Sequence, residues 1–87
     1  MKNKVLIKLY VPELDQTFDI FVPINEAIWK ITKLIIKSVY DITSGAIDPN
    51  KNYTLINRDT GEIYTNNIII YNTNIRNATT LVLISTN

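Results

Sequence analysis

A chain of 87 residues with 46% apolar and 20% charged residues has the composition of one small folded domain, which excludes a disordered or fibrous protein. Nine Lys and Arg against eight Asp and Glu give a net charge of +1, too little to draw the protein onto nucleic acid or an anionic membrane. There is no Cys and no His, which removes thiol nucleophiles, disulfides, the usual zinc ligands and the commonest general base. We therefore expect a single domain over residues 1–87 that needs no metal or cofactor.

The first two elements are predicted strands. Apolar residues alternate over residues 4–11 and again over 17–22, and the short polar segment between them suits an antiparallel hairpin.

The run VLIKLYV is too short for a signal peptide and is interrupted by Lys8, and no segment has the roughly 18 unbroken apolar residues of a membrane helix. We expect a cytoplasmic protein that does not insert into a membrane.

The third element is a predicted helix from Asn25, which would cap it, to about Asp41, with Gly45 as a stop signal. Its predicted core stripe is Ile28, Ile31, Ile35, Val39 and Ile42, flanked by Ala27 and Leu34. A second stripe lies away from the core and forms a secondary interaction candidate, made of Trp29, Lys33, Ile36 and Tyr40. Either the chain's own loops cover this stripe or it docks a partner.

The remaining third of the chain predicts strands separated by polar segments. YTLIN reads as a third strand, Asp59 and Gly61 as the turn of a hairpin that returns through a short strand at Ile63, and residues 65–79 as a loop. Residues 79–87, TTLVLISTN, predict the last strand. One amphipathic helix must then cover one face of an α+β sheet in which the first and last strands are central.

The order of these elements resembles that of ubiquitin-like β-grasp proteins. Within that group TFDIFVP followed by INEAIWKITKLIIKSV is most similar to the YukD/EsaB family, which is associated with the type VII (WXG-protein) secretion systems of Gram-positive bacteria. The resemblance implies a mixed sheet of four to five strands with one helix packed on one face. It also implies a non-enzymatic, cytosolic accessory or regulatory protein whose partner is a secretion ATPase or another ubiquitin-like component. Modifiers of this fold end in Gly-Gly, whereas this sequence ends LISTN, so we expect no conjugation.

The second face of the sheet is also apolar in this sequence. Strand alternation turns Phe21 and several other apolar side chains away from the helix. The ubiquitin-like strand order makes the first, third and last strands neighbours, which predicts one protein-interaction patch. Its predicted members are Leu6, Lys8, Tyr10, Ile56, Val82 and Ile84. Homodimerisation through the same face is a variant of this hypothesis.

Two alternatives come from other functional classes. The string DTG at Asp59 is the motif of aspartic proteases, in which two carboxylates share a proton, but a hairpin turn explains it better. Lys30, Lys33 and Lys37 form a basic row that a nucleic-acid-binding protein would use, yet the net charge favours an ordinary solvated face. We assign no catalytic residue and expect no nucleic-acid partner.

Overall fold

The computed structural model of the protein describes residues 3–86. Its four strands form one sheet in the order β2-β1-β4-β3, in which β1 and β4 are parallel and both outer pairs are antiparallel. This confirms the predicted α+β fold, with a mixed sheet and with the first and last strands at its centre. The elements are β1 (Lys4–Val11), β2 (Gln16–Pro23), α1 (Ile28–Ile42), β3 (Tyr53–Asn57), a 3₁₀ turn (Ile70–Asn72) and β4 (Thr80–Ser85).

The core lies between the inner face of the sheet and α1. Every second residue of each strand points into it, as the period-two alternation predicts. The helix contributes one stripe of four side chains that are at most 2% exposed. The buried apolar residues from the strands and α1 are Ile7, Leu9, Val11, Ile20, Val22, Ile28, Ile31, Ile35, Val39, Leu55, Leu81 and Leu83.

The start of α1 differs from the prediction, because Ala27 and not Asn25 occupies the N-cap position and no side chain caps the helix. The free backbone N–H groups of the first turn donate to carbonyls of the later loop instead. Ile28 N donates to Ile68 O at 2.9 Å, and Trp29 N donates to Asn66 O at 3.1 Å. The carbonyl groups of Asn66 and Ile68 therefore accept the hydrogen bonds that a capping side chain usually accepts at a helix N-terminus.

The end of α1 is a Schellman motif. Gly45 N donates to Tyr40 O at 2.8 Å and Ser44 N donates to Asp41 O at 3.3 Å, with Ser44 in the left-handed region at φ 55°. The prediction that Ile42 belongs to the core is wrong, because its side chain is 60% exposed in the last turn of the helix. Ile47 from the following loop is buried.

Residues 58–79, which include the 3₁₀ turn, form a long connection that packs several side chains into the core. The predicted short strand at Ile63 is reduced to a single bridge with Ile56. The loop places three side chains in the core that strand and helix periodicity do not single out, namely Tyr64, Ile70 and Ile75. It therefore closes the end of the core next to the start of α1.

Candidate functional site

The outer face of the sheet, opposite α1, carries a cluster of apolar side chains. Val82 on β4 lies between Tyr10 on β1 and Ile56 on β3, since both pair with it in register. Ile84 follows two residues along β4, on the same face, and is 37% exposed, while the other three are half-buried. We call Tyr10, Ile56, Val82 and Ile84 the apolar band. Four of the predicted patch residues are therefore brought together on adjacent strands.

A polar row borders the apolar band and separates it from Leu6. Lys8 forms an exposed ion pair with Asp19 on β2, with 3.4 Å between Nζ and Oδ1, and Lys8 pairs in register with Thr80. On the other side of Thr80, the Arg58 backbone N–H donates to the Thr80 carbonyl at 3.0 Å. The predicted continuous patch is therefore divided by this row, which contains Lys8.

Leu6 belongs to a second apolar group. It pairs in register with Phe21, which is 47% exposed, and it lies about 13 Å along the strand from Tyr10. Its backbone N–H donates to Asn77 Oδ1 at 2.9 Å. The structure thus places Leu6 with Phe21 at the far end of the outer face.

The hydroxyl of Tyr10 ties the apolar band to the β1–β2 turn. Tyr10 Oη donates to Asp15 Oδ1 at 2.9 Å, and this hydrogen bond raises the pKa of Tyr10 above its usual range. The nearby Arg58 guanidinium acts in the opposite direction on the same pKa. The band is therefore bordered by an acidic group, Asp15, and by a basic group, Arg58.

Sequence reasoning missed one exposed residue beside the band. Ile63 is 62% exposed and bridges to Ile56, and residues opposite each other in such a bridge share a face. The prediction of a hairpin returning through Ile63 contained the signal, because the strand partner of an outward residue also points outward. Ile63 extends the apolar surface beyond Ile56 to the edge of the sheet.

The outer stripe of α1, the secondary candidate, is only partly covered. The Trp29 side chain is 43% exposed and the Tyr40 side chain 41%, while Ile36 packs partly against the core. The loop after α1 comes close to Tyr40, whose ring lies 3.5 Å from the position that a Cβ at Gly45 would take. Lys33 Nζ lies 5.5 Å from the centroid of the Trp29 ring, within cation–π range.

The DTG string lies in an exposed turn after β3. Asp59 N and Thr60 N both donate to Asn57 Oδ1, at 2.9 and 3.1 Å, and Gly61 adopts a positive φ of 74°. These are the features of a tight turn held by an Asn side chain.

Neither helix in residues 3–86 combines the length and apolar character that crossing a membrane requires.

Comparison with solved structures finds the same architecture in many proteins, several of which are described as ubiquitin-like domains. The EccD5 ubiquitin-like domain from Mycobacterium xenopi superimposes with a TM-score of 0.75 at 12% identity, over 94% of this chain and 93% of that one. The fold is ubiquitin-like. A chain of the MycP5-free ESX-5 inner membrane complex matches with a TM-score of 0.74 at 13% identity, over 98% of this chain but 22% of its own.

A chain of a toluene 4-monooxygenase complex with the inhibitor 4-bromobenzoate also matches, with a TM-score of 0.74 at 8% identity, over 94% of this chain and 98% of that one. No family model and no curated protein matches the sequence. Proteins with such different roles share this ubiquitin-like fold, so these similarities establish the fold, and the function has to be argued from the surface.

Proposed function

We propose that this protein is a non-enzymatic interaction module that docks onto a protein partner through the apolar band. One observation carries the proposal: Val82 lies between Tyr10 and Ile56 on adjacent strands of the face that α1 does not cover. Full burial of an apolar side chain of this size contributes about 1.5–3 kcal/mol. Because these side chains are only partly exposed, docking would gain a part of that free energy from each of them.

We further infer that the partner belongs to a type VII secretion system and that the protein is a cytosolic accessory or regulatory component of it. The resemblance of TFDIFVP and the following helix to the YukD/EsaB family supports this role. The EccD5 ubiquitin-like domain and a chain of the ESX-5 inner membrane complex share the fold, so the proposed role is compatible with the architecture. The candidate partners are the membrane ATPase of the system and its other ubiquitin-like components.

The test is a binding measurement with two matched variants. The immobilised protein is presented with the cytosolic region of the secretion ATPase and, separately, with the system's other ubiquitin-like domain. Val82→Arg should weaken binding at least about tenfold, since it places a charge at the centre of an interface. Asn72→Arg adds the same charge at an exposed position in the 3₁₀ turn, whose backbone bonds to Ile24 and Glu26 away from the band, and it should bind as the wild type does.

Circular dichroism first establishes that both variants are folded. Unchanged binding by a folded Val82→Arg variant would refute docking through the band. The absence of binding by the wild-type protein to either candidate would refute the assignment to the secretion system, although not the band itself. In the latter case self-association, measured by sedimentation of the wild type and of Val82→Arg, tests the homodimer variant.

A further inference from the structure

The outer stripe of α1 has the spacing of a helix-packing surface. Trp29, Lys33, Ile36 and Tyr40 follow one another at intervals of four, three and four residues, which is the spacing of the a and d positions that face a partner in a coiled coil. The buried stripe of the same helix, containing Ile31 and Ile35, already packs on the sheet. The helix therefore presents two packing surfaces, one used within the protein and one open to solvent.

A hollow lies in the C-terminal part of the open stripe, from Lys33 to Tyr40. Four of its lining residues, Lys33, Ile36, Lys37 and Tyr40, stand at positions i, i+3, i+4 and i+7, and such groups of four form the hole that receives a knob side chain from a facing helix. Pro49 and Asp41 bound the hollow further, and its volume is about 410 Å³. Ile36 supplies an apolar floor, because it packs against the core from this side.

The charges around the hollow determine what kind of helix fits. Three Lys and one Asp lie within α1, and among residues 3–86 Lys33 forms no salt bridge. Lys30 and Lys37 pair with Glu26 and Asp41 at 3.4 and 3.1 Å, but these exposed pairs are weak and can exchange partners. A parallel helix from a second copy of this chain would bring Lys33 against Lys33, whereas carboxylates on a partner helix would pair with it, so the surface favours an acidic partner.

We propose that this face of α1 binds an acidic amphipathic α-helix of a partner protein. An apolar side chain of that helix enters the hole over Ile36, while its flanking carboxylates pair with Lys33 and Lys37. Trp29 and Tyr40 lie at the two ends of the contact, where large aromatic side chains commonly carry most of the binding energy. This surface lies on the opposite side of the protein from the apolar band, so both could be occupied at once.

The test uses two synthetic three-heptad peptides with Leu at a and d, one with Glu at e and g and the other with Lys there. Trp29 is the chain's single Trp, so its fluorescence reports directly on the proposed contact without a label. The acidic peptide should change the Trp29 emission in a saturable manner, and the basic peptide should bind at least about tenfold more weakly. Lys33→Glu combined with Lys37→Glu should reverse this preference.

The control is Lys4→Glu combined with Lys8→Glu, which makes the same change in net charge on the opposite face and should leave binding of the acidic peptide within about twofold of wild type. Equal binding of both peptides, or no binding of the acidic peptide at about 1 mM, would overturn the proposal. Binding to phosphatidylserine vesicles without binding to the acidic peptide would also overturn it, in favour of a membrane surface. None of these results depends on the partner of the apolar band.

Discussion

The Asn57 side chain donates from Nδ2 to Tyr64 Oη, 3.0 Å away, in the interior of the protein. The Tyr64 hydroxyl in turn donates to Asn74 Oδ1 at 2.6 Å, and Asn57 Oδ1 accepts from the backbone N–H of Asp59 at 2.9 Å. This network connects the end of β3, the turn after it and the loop that precedes β4. It fixes the chain beside Ile56 and so supports one edge of the apolar band.

Removing the Tyr64 hydroxyl should therefore destabilise the protein. Tyr64→Phe leaves a buried Asn57 amide and the Asn74 carbonyl without their partner, and we expect the free energy of unfolding to fall by about 1–3 kcal/mol. Urea denaturation measures this directly. Tyr71→Phe is the matched control, because Tyr71 is 69% exposed, and its effect should stay within about 0.5 kcal/mol. Equal effects of the two substitutions would show that the network does not hold the loop.

The C-terminus of α1 offers a stabilising substitution. Ser44 adopts φ 55°, which disfavours residues with a Cβ, so Ser44→Gly should raise the free energy of unfolding by about 0.5–1 kcal/mol despite the added chain entropy of Gly. Ser38→Gly makes the same change inside the helix and should lower stability by roughly 0.5–1 kcal/mol. Thermal unfolding of both variants distinguishes the two signs. A loss of stability in Ser44→Gly would contradict the Schellman assignment.

Stability should decline in alkaline solution, in part because of Tyr53. Burial, followed by the negative charge of Glu13, raises the pKa of Tyr53 from 10.0 to about 12. Because the folded state favours the neutral phenol, this contribution is fully present below about pH 10 and is lost as the pH rises toward about 12. Urea denaturation across this range should give a smaller decline for Tyr53→Phe than for the wild type.

The comparison for Tyr53→Phe uses the slope with pH and not the absolute stability. Tyr53 Oη also donates to the carbonyl of Asp48 at 2.9 Å, and losing this hydrogen bond lowers stability by a similar amount at every pH below 10. Identical slopes for the two proteins would mean that another group causes the alkaline decline.

We expect that the hydroxyl of Ser85 can be removed without lowering the free energy of unfolding. Ser85 Oγ is buried and has no hydrogen-bond partner among residues 3–86. Ser85→Ala should therefore leave the free energy of unfolding unchanged or raise it by about 0.5–1 kcal/mol. Thr73→Ala is the contrasting control, since Thr73 Oγ1 donates to Ile70 O at 2.7 Å and accepts from Ile75 N at 3.1 Å, and it should lower stability by about 1 kcal/mol. Destabilisation by Ser85→Ala would reveal an unrecognised partner.

Much of this fold could be predicted from the sequence, because the alternation of apolar and polar residues in strands and the 3.6-residue period in the helix indicate which side chains are buried. The strands around Leu9, Ile20, Leu55 and Leu83 and the helical stripe through Ile35 are all where those periods place them. The start of α1 could not be predicted, because its N–H groups bond to carbonyls about forty residues later in the chain, such as that of Ile68. No local pattern records such a contact.

Four of the six predicted patch residues lie together in the apolar band, but the layout of the outer face could not be predicted. Alternation identifies which residues of β1 and β4 point outward, but it contains no information about how far one strand is shifted against its neighbour. The observed register pairs Val82 with Tyr10 and leaves Leu6 beside Phe21, with Lys8 between the two groups. The buried positions of Ile70 and Ile75 were missed for a related reason, since irregular loops have no period.

Docking through the apolar band is tested most directly by photocrosslinking in cells that contain a type VII secretion system. A benzoylphenylalanine placed at position 56, in the band, should give a discrete crosslink to a component of that system, and the crosslink should disappear when Val82→Arg is added. The same amino acid at position 72, in the exposed 3₁₀ turn away from the band, should give none. Crosslinks of equal yield from positions 72 and 56, or a crosslink from position 56 that persists with Val82→Arg, would contradict docking through this surface.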